Sequence, residues 1–419
     1  MALRCNCKSI TSPWSILPIG SFRYLNVKKG LRQATGEYDN LTLLDYFEDR
    51  FTDRRHLIRI TGVVIIGIFL TAYVAAQFNA GAKALSTALD IPLLLALGIS
   101  GLLIMVYMVL GGYIAVAYND VVRALIMIFG LVLFPAWGLI QMGGTGALLG
   151  TLAALDPALV DPVSIGLGAL IGFVGIGLGS PGQPHIVVRY MSVGDPEQLR
   201  FAAVLGTFWN VVMAWGAVFI GLLGRALVPV SGFLPEGDPE MVFLVLASDY
   251  FGEVLYGLLV GGIFAAILST VDSQLLVVAS TFVRDLYEKV LKARVRLEEA
   301  QKLRLSRVVV IAAGVAALVF AWLAQDLVFW LVLFAWGGLG AAFGPALILS
   351  LYWGGTTRQG IVAGMITGAV VTIIWKQWFS DPTGIYELVV SFPAALLAIV
   401  LVSLATRSGG PRSRERGPA

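Results

Sequence analysis

Residues 252–279 read GEVLYGLLVGGIFAAILSTVDSQLLVVA, an apolar stretch followed by eight lysines and arginines between Arg284 and Arg307. About 20 apolar residues are enough for a helix to cross the ~30 Å hydrocarbon core of a bilayer. Similar stretches recur along the 419-residue chain, which is 58% hydrophobic and 13% charged, and its mean hydropathy is +0.85. The sequence therefore predicts an all-α polytopic membrane protein that lies in a lipid bilayer.

About ten membrane-spanning helices are predicted from stretches of this kind. Their approximate limits are 58–85, 93–117, 120–142, 163–188, 202–227, 252–279, 308–325, 327–352, 360–378 and 385–405.

The 29 lysines and arginines lie on alternate connections between these spans, with Lys83, Arg225 and Lys376 as exceptions. By the positive-inside rule, those connections and both termini are cytoplasmic. We therefore expect a cytoplasmic N-terminal segment at 1–56, a transmembrane domain at 57–405 and a cytoplasmic tail at 406–419, in the cell membrane.

The charge and motif content exclude several other classes of protein. The net charge of +3 is carried by the predicted cytoplasmic connections, so it reflects membrane topology and gives no indication of nucleic-acid binding. The sequence contains no HExxH or GxSxG motif, and neither of its two histidines, His56 and His185, lies next to a plausible nucleophile. An intramembrane enzyme is therefore not favoured, and no cofactor is expected.

The span at 163–188 differs from a plain apolar helix. It holds seven glycines and ends in SPGQPH at 180–185. Proline removes a backbone donor, and an unsatisfied backbone group in lipid survives only within protein or beside a water-filled cavity. This pattern favours a discontinuous helix whose free backbone groups face a solute. The alternative is that the small residues only allow close helix packing.

Hydroxyl groups mark one face of the span at 252–279. Ala266, Ser269, Thr270 and Ser273 fall on one narrow side of a helix. Two adjacent hydroxyls and a nearby carbonyl are hard oxygen ligands of low charge, which suit a monovalent alkali ion. Asp272 adds a carboxylate, and such residues inside a membrane usually line an ion or solute path. The alternative is that the hydroxyls bond back to the previous turn, with Asp272 near the interface.

Two further features of the sequence each have two possible interpretations. Residues 336–345 read WGGLGAAFGP and repeat the glycine, aromatic and proline pattern of 163–188. They predict either a second break or close packing. Asp120 begins the span at 120–142, where it is either a helix-capping carboxylate or a second ion ligand.

These motifs together resemble the sodium:solute symporter family, over about Tyr24 to Leu404. The resembling segments are 41–51 (LTLLDYFEDRF), 111–127 (GGYIAVAYNDVVRALIM), 182–191 (GQPHIVVRYM), 265–277 (AAILSTVDSQLLV) with 284–287, 335–345 (AWGGLGAAFGP) and 375–377. The resemblance implies a leucine-transporter-type fold with two inverted repeats. Family members carry three more membrane helices before the LTLLDYF-like segment, so the fold is expected to be incomplete here.

The resemblance also implies binding residues. Ala266, Ser269 and Thr270 match the family's principal sodium site, and some relatives hold a further sodium where this chain has Asp120, Ser269, Asp272 and Ser273. For the solute, Tyr73 matches a pocket residue of the proline carriers. Two pocket aromatics of those carriers fall at Ile176 and Ser180. The expected solute set is Tyr73, Gln77, Ile176, Ser180 and Gln183, with Asn79 as a further contact.

The resemblance implies sodium-coupled uptake of a small organic solute, with sodium as the coupling ion and alternating access as the mechanism. An amino acid such as proline is the expected solute, although the changes at Ile176 and Ser180 point to one of different shape or polarity. The alternative is a transport-inactive, truncated paralogue that acts as a membrane subunit or sensor.

Overall fold

The structure is a computed structural model of the chain. It describes residues 30–32, 35, 40–110, 122–161, 167–193, 198–228, 234–291, 297–324 and 327–407. Within these ranges the regular structure is entirely helical, and the all-α prediction is confirmed.

We number the main helices in chain order. They are α1 (Leu43–Phe51), α2 (Leu57–Leu89), α3 (Leu93–Leu110), α4 (Val122–Gln141), α5 (Thr145–Leu155), α6 (Leu167–Gly175), α7 (Pro184–Met191), α8 (Gln198–Leu227), α9 (Val242–Tyr250), α10 (Glu253–Ser280), α11 (Glu299–Leu323), α12 (Val328–Tyr352), α13 (Arg358–Trp378) and α14 (Glu387–Thr406). A 3₁₀ segment, Ile176–Gly182, joins α6 to the residue before α7, and a π-helical segment, Thr281–Leu291, continues α10.

Eight helices among the described residues are long and apolar enough to cross a membrane, namely α2, α4, α8, α10 with its continuation, and α11 to α14. The other two predicted spans differ for separate reasons. The described part of the span at 93–117 is α3, which ends at Leu110, because residues 111–121 lie outside the described part of the chain. The span at 163–188 is interrupted and is divided among α6, the 3₁₀ segment and α7.

Helices α2 and α12 form the centre of the molecule. In the most apolar part of α12, 83% of the residues are buried, and the corresponding share for α2 is 61%. Phe69 of α2 and Leu339, Phe343 and Leu347 of α12 share one apolar cluster. The outer helices expose large apolar residues, which is expected where the solvent is lipid.

Small residues bring α12 against the 3₁₀ segment. A Cβ atom on Gly182 would lie 2.7 Å from the Cα and carbonyl oxygen of Gly340 and from the amide nitrogen of Gly344. Helix α12 runs unbroken through Pro345. Of the two alternatives for 336–345, close packing is therefore correct, since small residues let two backbones approach.

A buried arginine connects the beginning of α2 to α1. Arg59 is fully buried, and its guanidinium contacts the carboxylates of Asp45, Glu48 and Asp285. Its Nε donates to Glu48 Oε2 at 2.6 Å, and its Nη2 donates to Asp45 Oδ1 at 3.0 Å. Asp285 lies in the π-helical continuation of α10, so one side chain joins three elements. We call these four residues the Arg59 cluster.

Asp45 also belongs to the first turn of α1, where Thr42 caps the helix. The Thr42 hydroxyl accepts a hydrogen bond from the Asp45 amide at 3.1 Å, and the Asp45 carboxylate accepts one from the Thr42 amide at 3.3 Å. Burial raises the pKa of Asp45, but the hydrogen bond from Lys289 and the charges of Arg284, Lys289 and Arg59 together lower it below the ordinary value of 3.8. This carboxylate is therefore held ionised.

Candidate transport site

The predicted break in the span at 163–188 is present at Gln183. Helix α6 tightens into the 3₁₀ segment, and Gln183 then adopts an extended conformation with φ −88° and ψ 105° before Pro184 begins α7. Two prolines within four residues account for this geometry, because each lacks a backbone donor and disfavours the helical conformation in the residue before it. The predicted discontinuity of this span therefore lies at a fully buried residue.

Side chains hold the broken segment against α12. The indole Nε1 of Trp336 donates to the carbonyl oxygen of Ile176 at 2.9 Å. In the opposite direction, the Nε2 of Gln183 donates to the carbonyl oxygens of Trp336 at 2.9 Å and Gly179 at 3.2 Å. These bonds pair the buried side-chain donors of Trp336 and Gln183 and hold the broken segment against α12. Trp336 lies within a motif of the sequence, but the motif does not predict that its indole binds the broken segment.

Two buried polar atoms at the break have no hydrogen-bond partner among the residues that the structure describes. These are the Oε1 of Gln183 and the Nδ1 of His185, on residues that are 0% and 7% exposed. The ring of Tyr73, from α2, meets the ring of His185 edge-on at 6.0 Å between centroids. A buried polar atom without a partner is costly, so such atoms indicate a place where a bound molecule supplies the missing bonds.

The structure brings together most of the predicted solute residues. Tyr73 is buried with Trp336 and Ile186 in one aromatic cluster, and Ile176 packs against it. Ser180 and Gln183 are buried in the segment just described. Gln77, one turn further along α2 than Tyr73, is half-buried.

Asn79 has a different place from the one expected. Its Nδ2 donates to the carbonyl oxygen of Ala324, at the end of α11, at 3.0 Å. The amide thus satisfies a helix-terminal carbonyl, as a capping group does.

The predicted sodium residues lie on α10. The Ser269 hydroxyl donates to the carbonyl oxygen of Ala266 at 2.8 Å, and the Thr270 hydroxyl donates to the same atom at 3.1 Å. Back-bonding to the previous turn, the alternative considered above, is therefore what this structure contains. The same bonds gather three oxygen atoms around one point. The two hydroxyl oxygens can still coordinate a cation, whereas the Ala266 carbonyl could do so only if the hydroxyls turned away from it.

The residues expected at a further sodium site have other partners. Asp272 is fully buried, and its Oδ2 lies 2.7 Å from Arg123 Nη1. The Nη2 of Arg189 donates to the hydroxyl of Ser273. Asp120 lies outside the described residues. The sequence analysis did not predict a role for Arg123. Asp272 was the available signal, because a carboxylate inside a membrane requires a cationic or polar partner.

An unexpected basic residue in the sequence also has an explanation. Lys83, an exception to the alternation of charge, lies 2.6 Å from Asp238 Oδ2 and 2.6 Å from Glu240 Oε2. Glu240 also accepts hydrogen bonds from the amides of Val328 and Phe329 at 3.0 Å, where a helix N-terminus favours negative charge. Lys83 therefore ties α2 to the connection before α9 and, through Glu240, to the start of α12.

Several known proteins are similar to this chain in sequence. The model of the sodium:solute symporter family matches residues 10–368. A sodium/proline symporter of Staphylococcus aureus is 33% identical over 385 residues, which make up 89% of this chain and 74% of the relative. The sodium/proline symporter of strain JH9 is 34% identical over 386 residues, with the same coverage.

A solved structure has a similar fold. It is a Na⁺-coupled sialic acid symporter in a substrate-bound, outward-open state, described as revealing a novel Na⁺ site. It matches with a TM-score of 0.69 and 18% identity, over 91% of this chain and 84% of that one.

The structural likeness supports the predicted fold class, and the sequence match confirms the resemblance inferred from the motifs. Eight full-length spans and a matching family model over most of the chain point to one conclusion. The chain is a multi-pass membrane protein that belongs to the sodium:solute symporter family.

Proposed function

We propose that this chain takes up a small organic solute, an amino acid such as proline, together with sodium. It works by alternating access in the cell membrane, with both described ends of the transmembrane domain facing the cytoplasm. The observation that carries the proposal is the broken segment beside Tyr73 and Trp336. There, the Gln183 and His185 side chains each keep a buried polar atom that has no partner in the described part of the chain.

The chemistry of those atoms favours a solute with N–H donors. Gln183 Oε1 only accepts hydrogen bonds, and His185 Nδ1 accepts them in one of its two neutral tautomers. The ammonium or imino group of an amino acid could donate to such acceptors. Its apolar part would pack against Tyr73 and Trp336, which lie in one aromatic cluster. By the resemblance, Ile176 and Ser180 stand where proline carriers have aromatic residues, which suits a solute whose shape or polarity differs from that of proline.

Sodium would act through α10. A cation at this point would be coordinated by the lone pairs of the Ser269 and Thr270 hydroxyls and of the Ala266 carbonyl. The hydroxyl hydrogens, which now donate to Ala266, would turn away from it. One cation crossing 100 mV supplies ~2.3 kcal/mol, enough for a roughly fifty-fold solute gradient. The sodium gradient adds to this.

Uptake into proteoliposomes tests the proposal. We expect uptake of labelled proline or another labelled amino acid to require sodium, and Ser269→Ala with Thr270→Ala to abolish the requirement or the uptake. Ser280→Ala is the matched control, because the Ser280 hydroxyl, on the same helix, makes a similar back-bond to Val277 at 3.0 Å. Uptake indifferent to sodium would contradict the proposal. Sodium binding without uptake of any amino acid would favour a membrane subunit or sensor.

A further inference from the structure

Two guanidinium groups reach the residues that resemblance assigns to a further sodium ion. One belongs to Arg123, at the start of α4, and contacts Asp272. The other belongs to Arg189, on α7, and donates to Ser273. Both contacted residues lie on α10, within one turn of Ser269.

Arg123 is held from two sides. Its Nη1 lies 2.7 Å from Asp272 Oδ2, and its Cζ lies 5.0 Å from the centroid of the Tyr107 ring on α3. Arg123 is 7% exposed and Asp272 is 0% exposed. A carboxylate on one side and an aromatic face on the other are the two surfaces that stabilise a buried guanidinium. Helices α3, α4 and α10 thus form a charged site in which the cation is the Arg123 side chain itself.

A metal ion at the same place would compete with that cation. The negative charge of Asp272 is already balanced by Arg123, and unit charges of like sign a few ångströms apart repel strongly in a buried site. Ser273 offers little compensation. Its hydroxyl accepts from Arg189 and donates to the carbonyl oxygen of Ser269 at 3.2 Å. Among the described residues, no guanidinium donates to the neutral oxygens of Ala266, Ser269 and Thr270, which lie one turn earlier.

We propose that Arg123 is a built-in cation that takes the place of a second sodium, so that this chain couples solute to one sodium ion per cycle. The inference rests on the proposed sodium-coupled function and specifies its stoichiometry. The Arg123 side chain stabilises Asp272 throughout the cycle, whereas a dissociable ion would do so only when bound. One charge then moves with each neutral solute, and the attainable solute gradient depends on the first power of the sodium gradient.

Sodium counting tests the proposal directly. The purified full chain is equilibrated with labelled sodium, and the ions bound per chain are compared with the Hill coefficient for sodium in uptake assays. We expect about one ion and a Hill coefficient near 1 in the wild type, and about two ions with a coefficient above 1 in Arg123→Gln, because the freed Asp272 can then hold a metal ion. Arg304→Gln, at an exposed arginine on α11, is the charge-matched control and should behave as the wild type.

The variant Arg123→Gln/Asp272→Asn completes the design, because it leaves no buried charge unpaired and should fold even where Arg123→Gln does not. We expect it to bind about one ion, as the wild type does. Two ions in the wild type, a lower count in the double variant, or a single ion in well-folded Arg123→Gln would each overturn the inference while leaving sodium coupling intact. No sodium binding in any variant would instead contradict the proposed function.

Discussion

Replacing Arg59 by glutamine should destabilise the protein more than the same substitution at any other arginine outside the proposed solute and sodium sites. The Arg59 cluster joins α1, α2 and the continuation of α10 through one guanidinium. Glutamine is shorter and carries no charge, so three carboxylates lose a common partner. The cluster is buried, and water cannot replace the lost contacts.

The magnitude follows from what each carboxylate retains. At an effective dielectric of about 20, unit charges ~3 Å apart attract by roughly 5 kcal/mol, and desolvation offsets much of this. Asp45 and Glu48 keep other cationic or imidazole neighbours. Asp285 keeps a hydrogen bond from the Thr42 hydroxyl at 3.2 Å. The cost therefore falls mainly on Asp285, and we expect Arg59→Gln to lower the free energy of unfolding by about 3 kcal/mol, the lower end of the range for breaking a buried pair.

Thermal unfolding in detergent, followed by tryptophan fluorescence, measures the effect. Asp285→Asn alone should cost about 1 kcal/mol, and the double variant Arg59→Gln/Asp285→Asn should recover at least 1 kcal/mol relative to Arg59→Gln. Arg50→Gln is the control, because Arg50 is an exposed residue on the same α1 helix that contacts the Ser350 carbonyl at 3.3 Å. Equal melting temperatures for Arg59→Gln and Arg50→Gln, or strictly additive costs in the double variant, would refute the reasoning.

Three further outcomes are expected. Lys83→Met should lower the free energy of unfolding by about 2 kcal/mol, since two partly buried carboxylates lose their cation. Lys302→Met, at a more exposed pair, should cost under ~1 kcal/mol in the same melting assay. Gly182→Ala should cost at least ~1–3 kcal/mol and reduce uptake, because the new Cβ would meet backbone atoms. Gly146→Ala, which meets nothing within 4 Å, should change neither. The pKa of Asp45 is lowered in the folded protein, so its carboxylate stabilises the fold fully when the pH is above the ordinary pKa of 3.8. This stabilisation is lost as the pH falls through the lower pKa that the group has in the folded state. Melting temperature should therefore be insensitive to this group between about pH 8 and 5 and should decline below about pH 4, less steeply in Asp45→Asn; a decline beginning near pH 6 that Asp45→Asn abolishes would contradict this.

Features that depend on local sequence were predictable. The long apolar runs of α2 and α10 identified them as spans, and the two prolines around Gln183 located the break, because proline acts on its immediate neighbours. The hydroxyl face of α10 followed from helical periodicity alone. Each of these needs information from fewer than about 30 consecutive residues.

Features that depend on contact between distant helices were not predictable in the same way. Residues 336–345 carry the same glycine and proline signature as the broken segment, yet α12 is continuous. The difference lies in the partner, since the glycines of α12 pack against Gly179 and Gly182. Likewise Arg123 and Asp272 are 149 positions apart, and only the fold brings their charges together. A carboxylate in a membrane span predicts that a partner exists but not which residue it is.

A side-chain contact between α7 and α10 links the proposed solute and sodium sites. Arg189 lies on α7, one turn after His185, and donates to Ser273, one turn after Ser269 on α10. A sodium ion that reorganises the hydroxyls of α10 would act on the broken segment through this bond, and a solute that moves the segment would act back on the ion by the same free energy. Because Arg189 is charged and Ser273 is not, the bond can exchange partners without leaving a buried ion pair broken. That exchange is less costly than separating Arg123 from Asp272, and so the Arg123 pair is better suited to stay fixed while the Arg189 contact changes during transport.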